Sequence, residues 1–379
     1  MLDPPLTSNT DINLLASLRK QIEALSPVLP DKAVVTVGQY TLETLIDSPK
    51  LSEADMYTLL RVIHKKDLQH KTIQIDPKYS LMADTLYEPH YWFDMEEYYD
   101  KVDVNSELEH LIYGYHSQVL TLSNISEGAC SGLLPEIHRF LAQKEKSTIG
   151  AALFPSMNHS SDALYNAFSA VGRILIDNST PLVLIDQGLM EDYNGVHRVG
   201  DVLQDTAIID YFIDMLLDKE NIIRELDRLS RSYGVNIYSP LLATGCSLDI
   251  YGSFRNILEI TLEQPLMDFE LTSAKMVYVL VRAPLSYQED FQKGQLEFEV
   301  TQWLQESIGV DIPQICEPLF VDEYGDRVDV IILVGGYDTK KKFNEVYQRI
   351  ERFSKMNVDQ NLVDEEEWNK IKKKMLNGF

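Results

Sequence analysis

Residues 119–143 read Val-Leu-Thr-Leu-Ser-Asn-Ile-Ser-Glu-Gly-Ala-Cys-Ser-Gly-Leu-Leu-Pro-Glu-Ile-His-Arg-Phe-Leu-Ala-Gln. A short apolar run leads into a loop of small residues. Apolar positions at helical spacing follow, so the stretch predicts strand, loop and helix in that order. A helix that starts at such a loop aims its unpaired N–H groups at one point, which suits a phosphate. Glu127 lies inside the loop, and its carboxylate would repel one. The stretch has the shape of an anion cradle with the wrong charge in it.

The same alternation extends outward. Ala33–Val37 reads as a buried strand that leads into Gly38 and Gln39. A helix is expected over 11–25, another up to Ile46, and another from Pro49 to about Lys66. Thr72–Ile75 reads as a second strand, closed by Asp76 and Pro77. Thr148–Leu153 and Pro181–Ile185 are further strands, and Asp162–Ile176 is a helix. This pattern over 33–217 predicts an α/β fold with a doubly wound, mostly parallel sheet. Ligands of such sheets sit at the carboxyl ends of the strands. Gly38, Asp76, Glu127–Gly132 and Asp186 all fall there.

Beyond 235 the pattern changes. Strands at 236–242, 276–281 and 327–334 and helices at 252–263 and 288–307 predict a smaller α+β unit. The expected organisation is an N-terminal helical extension (1–30), a Rossmann-like domain (31–198), and a central core helix with its connecting segment (199–234). A C-terminal α+β domain (235–338) and a helical tail (339–379) complete it. The tail's last helix, 363–376, carries Trp368 and a run of lysines. It reads either as a solvated amphipathic helix or as a partner-docking one.

The chain has 379 residues, 45% hydrophobic and 25% charged, which is ordinary for a globular protein with a large core. A net charge of −25 argues against nucleic acid or anionic lipid as the main partner. No stretch reaches the roughly 18 uninterrupted apolar residues of a spanning helix. The N-terminus lacks the basic and apolar regions of a secretory signal. Cys130, Cys246 and Cys316 are scattered and odd in number. A cytoplasmic protein without disulfides or a zinc site is expected.

Two later segments carry a resemblance. Residues 264–281, Gln-Pro-Leu-Met-Asp-Phe-Glu-Leu-Thr-Ser-Ala-Lys-Met-Val-Tyr-Val-Leu-Val, are similar to the S-P-L-L-x-D-I-D-L-x-G-A-x-x-V-L-V segment of the FtsZ/tubulin superfamily. Residues 329–337, Asp-Val-Ile-Ile-Leu-Val-Gly-Gly-Tyr, resemble that family's last core strand and turn. The similarity in order and spacing runs over roughly 30–337 and is nearest to FtsZ, in the manner of divergent archaeal FtsZ-like proteins. Against the family's phosphate loop, G-G-G-T-G-[ST]-G-x-x-P, residues 126–135 keep Gly128, Ser131, Gly132 and Pro135. Ser126, Glu127 and Cys130 stand where the family has glycine. The first loop keeps one glycine, Gly38, followed by Gln39. The family's ribose-side Glu and Arg fall at His159 and Ala163, its base-reading Asn at Asp186, and its N-T-D at Gln74-Ile75-Asp76. In the hydrolysis loop, N-x-D-x-x-D, Ile222 takes the place of the first acid and Glu225 that of the second. A shift of one residue would use Asp227 instead.

The resemblance implies an FtsZ-like cytoskeletal protein, filament-forming or filament-associated, in cell division. It implies a degenerate GTP site at Gly38, Gln39, Asp76, Gly128, Ser131, Gly132 and Asp186, and weak or absent GTPase activity. GTP or GDP is the implied ligand, with Mg²⁺ only beside a nucleotide. The implied partners are further copies of the chain, head to tail, or an authentic FtsZ that this chain regulates without polymerising. A membrane-anchor or division protein is a further one.

The same residues have plainer readings. Glu127 can be an exposed loop acid, and Asp76 a turn former before proline. Glu225 and Asp227 can pair with Arg224, Arg228 and Arg231 along one helix. His159 can lead into a helix cap, and the aromatic stretch 87–99 can be a packed loop. A different class of function comes from Gly128-Ala-Cys130-Ser-Gly132, which matches a nucleophile elbow. With His138, His159 or His197 as base it would make a cysteine hydrolase. The plain reading of Cys130 is a small buried hydrophobe.

Overall fold

The computed structural model describes residues 31–38, 41, 55–59, 61–62, 79–81, 84–85, 90–95, 108–109, 116–177, 180–196, 207–218, 220–263, 265–322 and 325–377. Gln39, Asp76, His197, the helix expected over 11–25 and the strand expected at 72–75 lie outside these residues.

Six parallel strands form the first half of a sheet: β1 (Lys32–Val37), β2 (Asp55–Leu59), β3 (Tyr79–Leu81), β4 (Gln118–Asn124), β5 (Ser147–Phe154) and β6 (Leu182–Asp186). Their order is β3-β2-β1-β4-β5-β6, with β1 in register with β4 from Lys32↔Gln118 to Val37↔Ser123. This is the doubly wound order, and it reverses between β1 and β4. All seven residues of β4 are buried, as expected of a parallel strand covered on both faces.

Strand β2 corrects the helix expected from Pro49 to Lys66. Residues 55–59 pair with β1 from Ala33↔Asp55 to Val37↔Leu59. The apolar spacing there fits a helix, but Tyr57, Thr58 and Val62 are strand formers. Pairing with the open edge of β1 decides between the two.

Four more strands continue the sheet: β7 (Ile237–Ser247), β8 (Met276–Pro284), β9 (Gln314–Val321) and β10 (Arg327–Gly335), in the order β7-β10-β8-β9. Strand β9 has no counterpart in the sequence reading. The two halves of the sheet meet at only two pairs, Leu182↔Ile237 and Val183↔Tyr238.

Helices α1 (Gly128–Gln143) and α2 (Ser161–Asp177) cover one face of the first half, burying Leu133, Ile137, Phe168 and Leu175. Helix α3 (Gln187–Val196) follows β6. Helices α4 (Ala207–Asp218) and α5 (Ile222–Tyr233) contribute Phe212, Leu216, Ile223 and Leu226 to the other face. Helix α5 stops at Gly234, whose φ of +63° suits glycine, and Val235 N–H donates back to Ser230 O. Helices α6 (Phe254–Thr261) and α7 (Lys293–Trp303) enclose a separate core around Trp303 against β7–β10.

A buried ion cluster ties α4 to the second half. Arg282 donates to Asp214 at 2.7 Å, to Asp218 at 2.8 Å and to Asp329 at 3.2 Å. Helices α8 (Lys340–Asp359) and α9 (Glu365–Asn377) then return to the first half and pack on α2. Trp368 is buried, its ring centroid 5.1 Å from Tyr165 and 5.9 Å from Phe168. The expectation of a solvated helix therefore holds only for its outer face, where Lys370 and Lys373 are exposed. Among the described residues no helix is long and apolar enough to cross a membrane.

Candidate functional site

The reversal of strand order brings Gly38, just past β1, against the loop between β4 and α1. A Cβ built on Gly38 would lie 2.6 Å from Cys130 Sγ and 3.2 Å from Glu127 Oε2. Gly38 has φ +94°, so this position suits glycine by conformation as well as by space. The approach that a phosphate would use is thus faced by the chain's own sulfur and carboxylate. Neither atom attracts a phosphate oxygen as a backbone N–H group does.

Both carboxylate oxygens of Glu127 have partners. Oε1 accepts from Asn124 Nδ2 at 3.2 Å, and Oε2 accepts from the Cys130 thiol at 3.3 Å. Asn124 Oδ1 in turn accepts from Ser126 N at 3.2 Å and Ser126 Oγ at 2.7 Å. Asn166, from the middle of α2, holds the loop from behind. Its Nδ2 donates to Ser126 O at 3.2 Å and His90 O at 3.0 Å, and its Oδ1 accepts from Trp92 N at 3.1 Å. The loop is therefore an internally bonded turn.

The other expected pocket residues have internal roles. Ser131 is buried, and its hydroxyl donates to Gly128 O at 2.8 Å within its own helix. Gly132 is glycine for packing: a Cβ there would sit 2.5 Å from Met95 Cγ and 2.7 Å from Trp92 O. Asp186 caps α3, with Oδ1 accepting from Gly188 N at 2.9 Å and Leu189 N at 3.3 Å. Its Oδ2 accepts from Lys342 of α8 at 2.9 Å. His159 Nδ1 meets Ser156 Oγ at 2.9 Å, and Ala163 N donates to the capping hydroxyl of Ser160 at 3.3 Å. Arg349 of α8 donates to Met157 O and, at 3.5 Å, to His159 O. Helix α8 thus lies across the loops that follow β5 and β6.

Cys130 is buried, and burial together with the Glu127 carboxylate pushes its thiol well up from the usual range. A neutral thiol, its one hydrogen shared between Val37 O and Glu127 Oε2, is the form these surroundings favour. His138 is fully buried and burial lowers its pKa to about 3. Its Nε2 lies 2.8 Å from Thr121 Oγ1, and its ring packs on Gly150. These surroundings fit the plain reading of Cys130 as a small buried hydrophobe, and they favour the neutral ring of His138.

At the opposite, amino end of the strands, α5 runs past the starts of β4 and β5. Asp227 is buried and receives two bonds from Arg231, at 3.1 and 2.8 Å. Burial pushes its carboxyl up, against the pull of Arg231. Glu225 accepts from Tyr278 OH at 3.2 Å. Both acids thus have partners inside the chain. Arg224, Arg228 and Arg231, spaced by four and three residues, share one helix face. With Ser147, Asp227 and Ser232 they line a groove of about 480 Å³. Among the described residues no cluster of three or more His, Cys, Asp or Glu could hold a metal ion.

The sequence reading missed Asn124, Asn166, Lys342 and Arg349. Asn166 carries a signal in retrospect, being a polar residue in the apolar run Ala163-Leu-Tyr-Asn-Ala-Phe168. Lys342 and Arg349 carry none, since each meets its partner more than 150 residues away along the chain.

No family model matches the chain, and no curated protein sequence does. Solved structures do match in shape. CetZ1 from Haloferax volcanii, a GDP-bound monomer, matches over 85% of this chain and 99% of its own, with TM-score 0.64 and 15% identity. A mutant FtsZ of M. jannaschii matches over 88% and 97%, with TM-score 0.61 and 13% identity. CetZ2 from Haloferax volcanii, a GTPγS-bound protofilament, matches over 86% and 99%, with TM-score 0.61 and 12% identity. At these identities the likeness is one of fold: the chain has the FtsZ/tubulin fold.

Proposed function

We propose that this chain is an FtsZ-like cytoskeletal subunit of the cell-division type. It joins further copies head to tail through a contact that does not need GTP. The observation that carries this reading is the filled space over Gly38, where Cys130 Sγ and Glu127 Oε2 stand at the switch point of the sheet. Asp186 supports it, because both of its oxygens are engaged inside the chain. Weak or absent GTPase activity follows from the same reading. The acids aligned with the hydrolysis loop bond to Tyr278 and Arg231 rather than standing free for a neighbour's nucleotide. Self-assembly is supported by the fold, since CetZ2 of the same fold is a protofilament. A head-to-tail contact between unlike faces builds an open filament. Isothermal titration with GTP and Mg²⁺ tests the nucleotide part. No heat of binding is expected, and micromolar binding with turnover would overturn it.

A further inference from the structure

The arginine groove along α5 is the chemical complement of the loop at the other end of the sheet. Three guanidinium groups line it. Arg224 is held by neutral partners, Ser117 Oγ at 2.8 Å and Asn221 Oδ1 at 3.0 Å, which orient it without cancelling its charge. Arg228 is exposed and has no partner among the described residues. Arg231 is shared with Asp227, and Asp31 reaches the same Ser117 hydroxyl at 3.4 Å from the rim. The cations still outnumber the acids, and Ser147 and Ser232 add hydroxyls. A set of guanidinium forks beside hydroxyl donors suits a carboxylate. This happens on a chain whose net charge is −25, so the groove runs against the overall charge.

The position of the groove selects its occupant. Ser147 opens β5, and Glu127 lies three residues past the end of β4, which pairs with β5 in parallel from Gln118↔Ser147 to Asn124↔Leu153. Groove and loop therefore lie at opposite ends of the same strands, roughly 20 Å apart for seven residues. Glu127 is exposed, and its hydrogen bonds to Asn124 and Cys130 hold it in one place.

We infer that the Arg224–Arg228–Arg231 groove receives the Glu127 loop of a second copy of this chain. This rests on the head-to-tail reading above and gives that contact its residues. A fixed protein carboxylate takes the place of a bound anion at the junction. Because the two faces are unlike and opposed, each added copy exposes the next groove.

The test uses the full chain and two single variants, Glu127→Arg and Arg228→Glu, both at exposed positions. Sedimentation velocity is read for each alone and for an equal mixture. The wild type is expected to assemble and each variant alone to stay monomeric. The mixture should regain dimers or longer species, because one variant keeps an intact groove and the other an intact loop. Recovery in the mixture also shows that both variants fold. Variants that each assemble like the wild type would overturn the pairing while leaving head-to-tail assembly in place, and would give the groove to another anion. A wild type that stays monomeric at all concentrations would overturn both.

Discussion

The two ends of strands β4 and β5 handle charge in opposite ways. At the carboxyl end, a loop shaped to cradle an anion holds Glu127 and Cys130 over Gly38. At the amino end, helix α5 presents three arginines around one buried acid. The fold's usual logic puts the bound anion at the carboxyl end of the strands. Here the fixed anion at that end belongs to the protein, and the cations stand at the other. Residues that look like remnants of a ligand site, such as Gly132 and Asp186, are held in place by packing and internal pairing.

The largest expected effect concerns how firmly the carboxyl end is closed. Lys342 and Asp186 are paired with side chains 12% and 4% exposed. Lys342→Met should cost about 3–5 kcal/mol, since it leaves a buried carboxylate without its cation. Denaturant unfolding measures this, and a loss under about 1 kcal/mol would mean that α8 does not close that end.

Next comes acid sensitivity. His138, on the helix behind the loop, has a pKa lowered to about 3 by burial, against 6.5 for an ordinary histidine. The unfolded chain therefore takes up a proton at a higher pH than the folded one. Stability from this group is complete above about pH 6.5 and falls as pH drops toward 3. From pH 6.5 to 4 the loss should be about 3 kcal/mol. His138→Asn should flatten this limb of the stability curve, and an unchanged slope would contradict the dry setting of His138.

Gly132→Ala should cost about 1–3 kcal/mol, because its Cβ collides with Met95 and the Trp92 carbonyl. Calorimetric melting checks it. If the alanine is neutral, the packing account of this glycine fails.

Smallest in stability is Arg228→Glu at the amino end. Unfolding should shift by no more than about 0.5 kcal/mol, as for an ordinary surface site, while assembly is lost. The carboxyl end is thus expected to carry stability and the amino end association.

Much of the fold was legible in the chain because parallel strands covered on both faces read as continuous apolar runs. Residues 119–143 became β4, a loop and α1 as their pattern implies. Strand β2 was hidden because short apolar stretches fit either period, and β9 because Gln314–Val321 mixes Glu and Pro into a half-buried strand. At the site, the departure of Glu127 from a phosphate loop was visible, and the i,i+4 pairing of Asp227 with Arg231 followed from spacing alone. Helix α8 could not be placed there, since nothing local to Lys342 or Arg349 points to β5 and β6. The burial of Trp368 likewise depends on a surface of α2 that the last helix does not encode.

Sedimentation of the pure chain, freed of nucleotide and then with GTP and Mg²⁺, decides whether its assembly depends on nucleotide. A contact that does not need GTP gives the same pelleted fraction in both. A chain that pellets only with GTP, or that releases bound guanine nucleotide when denatured, would contradict it.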